Sequence, residues 1–179
     1  MRALKATDVA LCMNHVLAKE TFDSFLLAEA EVFTGLTLSV DGHLRQEFYS
    51  KEDYEERKSK GDFIPYAEVR SILFDAIKGK KTPNAFRLVL VTSRPATKAV
   101  LQRYEASPEG VGGLYLNLRY DHEGVSLVTG VSMTDFTMDK SAEAAWDRYL
   151  PEYLESIGIP FEIMGRILIG MYRQFTLLF

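Results

Sequence analysis

Residues 112–150 read GGLYLNLRYDHEGVSLVTGVSMTDFTMDKSAEAAWDRYL, and this stretch decides the fold. In its first part, leucines at every second position alternate with Tyr115, Asn117 and Arg119, which is the period of a strand with two different faces. The tetrapeptide DHEG at residues 121–124 is typical of a hairpin connection. We therefore predict two antiparallel strands that pair directly with each other.

The second half of the same stretch predicts an amphipathic helix that Asp139 can cap. Pro151 lies inside the apolar pattern, so the helix is expected to kink or restart there. Trp146, Tyr149 and Tyr153 are the large residues expected to dock this helix on the sheet. The apolar positions recur with helical i, i+3, i+4 spacing, and they are Ala142, Ala145, Trp146, Tyr149, Leu150, Tyr153, Leu154 and Ile157.

The segments before residue 112 complete a mixed architecture. Periodicity and turn residues predict a short helix near residues 8–17, strands at 25–33 and 36–40, a charged surface segment at 49–62, a helix at 65–79, a strand at 86–93 and a helix at 95–104. This order predicts an α+β fold, with helices packed on one face of a mostly antiparallel sheet of about five strands. At 179 residues, the chain is expected to form a single domain over 1–179.

Composition excludes several classes of protein. The chain is 47% hydrophobic and 26% charged, which is typical of a globular domain and not of a disordered or fibrous chain. Its single cysteine, Cys12, cannot form an internal disulfide, and no stretch of 18 uncharged apolar residues is present. We therefore expect a cytoplasmic protein without a membrane span, and no motif predicts a cofactor.

Basic residues are concentrated between residues 66 and 103, where eight lysines and arginines face two acids, while the whole chain has a net charge of −4. Lys78, Lys80, Lys81 and Arg87 are the candidates for binding an anion, and a nucleic acid or another polyanion would be the partner. The alternative is structural, because lysines at the end of a helix also complement its dipole.

Catalytic constellations are not evident in the sequence. His15, His43 and His122 are far apart, and none has a second ligand at metal-binding spacing. The leading hypothesis is therefore a non-catalytic binding or interaction module. A further alternative is an enzyme that uses acids of the 121–139 hairpin region, namely Asp121, Glu123, Asp135 and Asp139.

One face of the predicted strand at residues 114–120 carries Tyr115 and Arg119, an aromatic and a basic residue of the kinds that form base-stacking platforms. An aromatic residue on a half-buried strand is more often covered by a helix. The sequence leaves both interpretations of this face open.

The C-terminal segment at residues 159–179 is strongly apolar. Twelve of the nineteen residues from 161 to 179 are apolar, but Arg166 and Arg173 interrupt any membrane-length span. A last strand or a buried helix is the favoured prediction, and a self-association surface is the next.

Five segments of the chain carry a resemblance to a known family, and they read MRALKATDV, FDSFLLAEAEV, IKGKKTP, GGLYLNLRYD and FTMDKSAEAAWD. They resemble a family of uncharacterised bacterial proteins of Gram-positive anaerobes, catalogued as a domain of unknown function. The resemblance covers the chain to about residue 157, and residues 165–179 do not match it. It implies a single-domain cytoplasmic protein, and it implies no activity, substrate or catalytic residue.

Overall fold

The computed structural model describes residues 1–78 and 81–164. The strands of this part of the chain form one antiparallel sheet in the order β3-β2-β5-β6-β7-β1-β8, with β4 beside β2. They are β1 Ala3–Ala6, β2 Phe25–Phe33, β3 Thr37–Asp41, β4 Ile64–Pro65, β5 Ala85–Thr92, β6 Val111–Asp121, β7 Gly124–Met133 and β8 Phe161–Ile163. The predicted α+β class and antiparallel pairing are confirmed.

The predicted number of about five strands is wrong, because the described sheet has eight. The additional strands are short: β1 has four residues, β4 has two, and β8, which lies at the start of the C-terminal segment where a last strand or a buried helix was predicted, has three. Such short segments are too brief to show an alternating pattern. They join the sheet through distant partners, since β1 pairs with β7 on one side and with β8 on the other.

The helices begin and end close to the predicted positions. They are α1 Val9–Met13, α2 Lys51–Lys60, α3 Tyr66–Ile77, α4 Arg94–Arg103 and α5 Ser141–Ser156. The Asp8 carboxylate caps α1 by accepting the Leu11 N–H at 2.9 Å, and the chain continues as a π-helix over Asn14–Ala18. Helix α2 buries no residue, as expected for a charged surface segment.

The helices that bury apolar residues all pack on one face of the sheet. A large hydrophobic cluster joins this face to residues from four helices and from the π-helix, and no helical residue belongs to the smaller cluster on the opposite face. The cluster members from these five elements are Cys12, Val16, Leu17, Tyr66, Val69, Leu73, Val100, Leu101, Ala142, Ala145, Trp146, Leu150 and Leu154, and Phe22 joins them from the 3₁₀-helix Glu20–Phe22. The predicted one-sided packing is therefore found in the buried core of the described chain.

Helix α5 docks on the sheet as its apolar pattern predicts. Trp146 is fully buried, and its indole N–H donates a hydrogen bond to the backbone carbonyl of Tyr115 at 2.7 Å. Tyr149 stacks on the Trp146 ring with a centroid distance of 5.5 Å. The helix does not restart at Pro151, which lies inside one continuous element. The N-cap residue is Lys140 and not the predicted Asp139, whose carboxylate lies one residue earlier and accepts the Ser141 N–H at 2.8 Å.

Cys12 provides a test of core burial that depends on pH. Burial, and secondly the charge of Asp8, raise the pKa of the Cys12 thiol to about 12 from its ordinary value of 9.0. As the pH rises, the unfolded chain therefore loses this proton at a lower pH than the folded chain does. Burial of the neutral thiol contributes its full stabilisation below pH 9, and this contribution declines between pH 9 and about 12. We expect the free energy of unfolding to fall more steeply across this window in the wild-type chain than in Cys12→Ala, as measured by urea denaturation. Equal slopes for the two proteins would contradict the burial of the thiol.

The described structure includes the first part of the predicted apolar C-terminal segment, residues 159–164. Ile159 belongs to the large hydrophobic cluster, and β8 follows it at the edge of the sheet. The Met164 N–H donates to the Ala3 carbonyl at 2.9 Å. The rest of the segment, at residues 165–179, lies outside the described residues, and so does the prediction of self-association that rests on it.

Candidate binding groove on the sheet

The candidate site lies on the face of the sheet opposite the large hydrophobic cluster. On β6 this face carries the residues that alternate with the leucines, as the sequence predicts. Tyr115 lies between Val91 on β5 and Gly130 on β7, and the next row places Asn117 beside Val89. A small apolar cluster of Leu26, Ala28, Val89 and Val91, with Phe63 and Tyr115 packed against it, forms the floor.

A β-bulge shapes one side of this surface. The pairing of β2 with β5 shifts register between Leu27 and Glu29, so Ala28 has no direct partner on β5. A bulge of this kind bends its strand and increases the local twist. The result is a concave groove of about 600 Å³ that extends from β3 and the bulge across β5 and β6 to Gly130 on β7.

The wall of the groove depends on a close approach of two backbone segments. The Gly42 N–H donates to the Ala28 carbonyl at 3.0 Å, and a Cβ at Gly42 would lie 1.8 Å from the Leu27 carbonyl oxygen. Only glycine fits this position. The chain after Gly42 then pairs His43 with Phe63 in an isolated β-bridge, and the two rings lie 4.6 Å apart.

The carboxylates that line the groove are Glu29 and Asp41, and none of its lining residues within 1–78 and 81–164 is a lysine or an arginine. Asp41 accepts the His43 N–H, and this bond, with a second from the His43 ring at 2.6 Å, lowers the pKa of Asp41. Arg45 donates to the other Asp41 oxygen at 2.8 Å. The half-buried Glu29 has no polar partner among the described residues.

Tyr115 forms the aromatic part of the floor. Burial, and secondly the negative charge of Asp62, raise the pKa of the Tyr115 hydroxyl. Beside it, the only hydrogen bond of the Asn117 side-chain amide in the described part of the chain is a long one of 3.5 Å to the Val128 carbonyl. The groove therefore combines an apolar floor with a few polar groups, which is the usual composition of a small-molecule site.

Comparison with known proteins places the chain in a family. Residues 15–162 match a family described as a family of unknown function (DUF5721). The chain belongs to DUF5721. No curated protein and no solved structure has significant similarity to the chain. All the residues that line the groove lie inside the matched range.

In this DUF5721 chain, the predicted anion-binding residues that the structure describes lie on different elements. Lys78 is exposed just after α3, with its Nζ 5.6 Å from the centre of the Phe74 ring. Lys81 is exposed in the loop that follows, and Lys80 lies outside the described residues. Arg87 lies on the groove-bearing face of β5, where it donates to Glu31 at 3.0 Å. Anion binding by these residues stays a prediction.

The acids of the 121–139 region of this DUF5721 chain bind local groups. Asp121 accepts the Glu123 N–H at 2.8 Å and pairs with Arg119, while Asp139 accepts both the N–H and the hydroxyl of Ser141. Asp135 is exposed and accepts the hydroxyl of Thr134 at 3.2 Å. Over residues 1–78 and 81–164, no three metal-ligating side chains gather into a metal site.

The histidines occupy three different environments. His15 is buried between Thr21 and Lys19, at 3.0 Å from each, and burial, and secondly the Lys19 charge, lower its pKa. His43 belongs to the groove, and His122 is exposed in the hairpin. No helix in the described ranges has the length and apolar character to cross a membrane.

The sequence predicted β6, the central strand of this site. It did not predict most of the residues that form the rim of the groove. The alternation on β6 predicted that Tyr115 and Asn117 share a face. No local signal marks Glu29 or Phe63 as neighbours of these residues, because β2 and β6 are separated by β5 in the sheet. The only signal near this wall is the Asp-Gly pair at residues 41–42, which predicts a turn but not its approach to the bulge.

Proposed function

We propose that this chain is a non-catalytic binding module, and that the groove is its binding site for a small apolar ligand. The observation that carries the proposal is a concavity of about 600 Å³ with an apolar floor, on the face that receives no buried helical residue in the described chain. Ligand sites of proteins have volumes of roughly 300–1,000 Å³ and are mostly apolar with a few polar groups.

The position of the groove on the sheet supports the proposal. Most of the lining side chains come from β2, β3, β5, β6 and β7, which pair along continuous ladders. Residues on such strands are held more precisely than residues on loops. The surface is therefore formed before a ligand arrives, which reduces the entropic cost of binding.

Filling the groove provides the test. A Cβ added to Gly130 would lie 3.4 Å from the Asn117 amide nitrogen and 3.5 Å from the Tyr115 Cβ, so a side chain fits and projects into the groove. We expect Gly130→Leu to weaken binding of a neutral solvatochromic dye by about tenfold or more, which corresponds to roughly 1.4 kcal/mol. The measurement is a fluorescence titration of the full chain.

Gly35→Leu is the matched control for this variant. A Cβ at Gly35 meets no atom within 4 Å, so the same side chain is added away from the groove. Dye binding by this control is expected to equal that of the wild-type chain. Equal affinity of Gly130→Leu and the wild-type chain, with both folded by circular dichroism, would rule out the groove as the site.

The source and cellular location of the chain stay predictions. The resemblance that implies Gram-positive bacteria and a cytoplasmic location supports both, and neither affects the test of the groove.

A further inference from the structure

We propose that the ligand of the groove is an organic cation, with an amino group that binds the Glu29 carboxylate and an apolar body that lies on Tyr115. This inference rests on the proposed binding function and adds the chemical class of the ligand. The juxtaposition that carries it is the Glu29 carboxylate, which has no polar partner within the described ranges, beside an aromatic and aliphatic floor.

The charge of the groove favours a cation. Among the described residues, its lining includes two carboxylates and no lysine or arginine. Asp41 already binds His43 and Arg45. Glu29 has no such partner in the described chain, so its charge is the one that a ligand would meet.

Glu29 and its neighbour Glu31, on the same face of β2, differ in the residue that lies opposite them on β5. Glu31 accepts a hydrogen bond from Arg87 at 3.0 Å, and in the sheet Arg87 lies directly opposite Glu31 on β5. The residue in the same position opposite Glu29 is Val89, which is apolar and buried. A half-buried carboxylate beside an apolar residue loses hydration without gaining a counter-charge. A ligand cation would supply one through a charge-assisted hydrogen bond.

The same concavity also contains an apolar surface. Tyr115 and Phe63 expose aromatic rings to the groove, and Ala28 and Val89 complete an aliphatic floor. Aromatic faces attract cations as well as apolar groups. The groove volume of about 600 Å³ accommodates a ligand that carries both.

The experiment uses three probes that share one apolar body and differ in charge: phenylbutylamine, phenylbutanol and phenylbutyrate. Each is titrated into the full ¹⁵N-labelled chain, and the dissociation constant is taken from the amide shifts of Gly130 and Tyr115. We expect the amine to bind about tenfold more tightly than the alcohol, as one hydrogen bond to a charged group provides. The carboxylate is expected to bind more weakly than the alcohol.

Two matched variants locate the charge. Glu29→Gln keeps the size of the side chain and removes its charge, so we expect it to bring the amine-to-alcohol ratio close to one. Glu31→Gln makes the same change two residues along the same face and is expected to leave the ratio near ten.

The outcomes separate this inference from the proposed function. If the alcohol binds as tightly as the amine in the wild-type chain, the groove binds apolar ligands and only the cation inference fails. If no probe shifts the groove amides, both fail. Shifts of these amides that depend on protein concentration without any probe would identify a second copy of the chain as the occupant, and would also overturn the inference.

Discussion

Replacing Trp146 by alanine is expected to lower the free energy of unfolding by about 3–5 kcal/mol, the usual cost of truncating a buried tryptophan. Trp146 is fully buried in the large hydrophobic cluster and stacks on Tyr149. The loss combines the apolar area that returns to water with the cavity left between α5 and the sheet. Urea denaturation of the variant and the wild-type chain measures it.

Trp146→Phe separates the packing of this residue from its hydrogen bond. Phenylalanine retains much of the buried area but leaves the Tyr115 carbonyl without the indole N–H that lies 2.7 Å from it in the wild-type chain. We expect a loss of about 1–3 kcal/mol, smaller than for alanine, because the variant loses this hydrogen bond and part of the buried area. An alanine variant as stable as the wild-type chain would show that α5 does not dock through this residue.

Leu116→Ala is expected to reduce the free energy of unfolding by about 2–5 kcal/mol. Leu116 is fully buried on the side of β6 that faces the helices. The next residue, Asn117, lies on the groove side, and within the described residues its side chain makes only the 3.5 Å hydrogen bond to the Val128 carbonyl. Asn117→Ala is therefore expected to cost no more than about 0.5 kcal/mol, as for a surface substitution.

This pair of neighbours tests the two-faced sheet on which the proposed function depends. Both changes remove side-chain atoms from adjacent positions of one strand, so strand propensity contributes little to the difference. Equal losses for the two variants would mean that both faces are equally packed. In that case the groove would not be an open surface, and the proposal for its ligand would fail with it.

Much of the binding surface depends on contacts that are remote in sequence. The predicted alternation of Tyr115, Asn117 and Arg119 with the leucines is correct, and it identifies the floor strand of the groove. Glu29 and Glu31 appear in the sequence as two similar acids on one strand. Only the pairing of β2 with β5 places Val89 opposite one and Arg87 opposite the other, and this difference decides which carboxylate is paired.

The sequence by itself determined the class of the fold, the long strands and the helix of Trp146, because these depend on hydrogen-bond geometry that repeats every two or about four residues. The two- to four-residue strands β1, β4 and β8 are too short to show such a period. Their place in the sheet, and the concavity beside the bulge at Ala28, were decided by the tertiary structure. The physical reason is that both arise from partners far apart along the chain, whose meeting depends on the packing of the whole sheet.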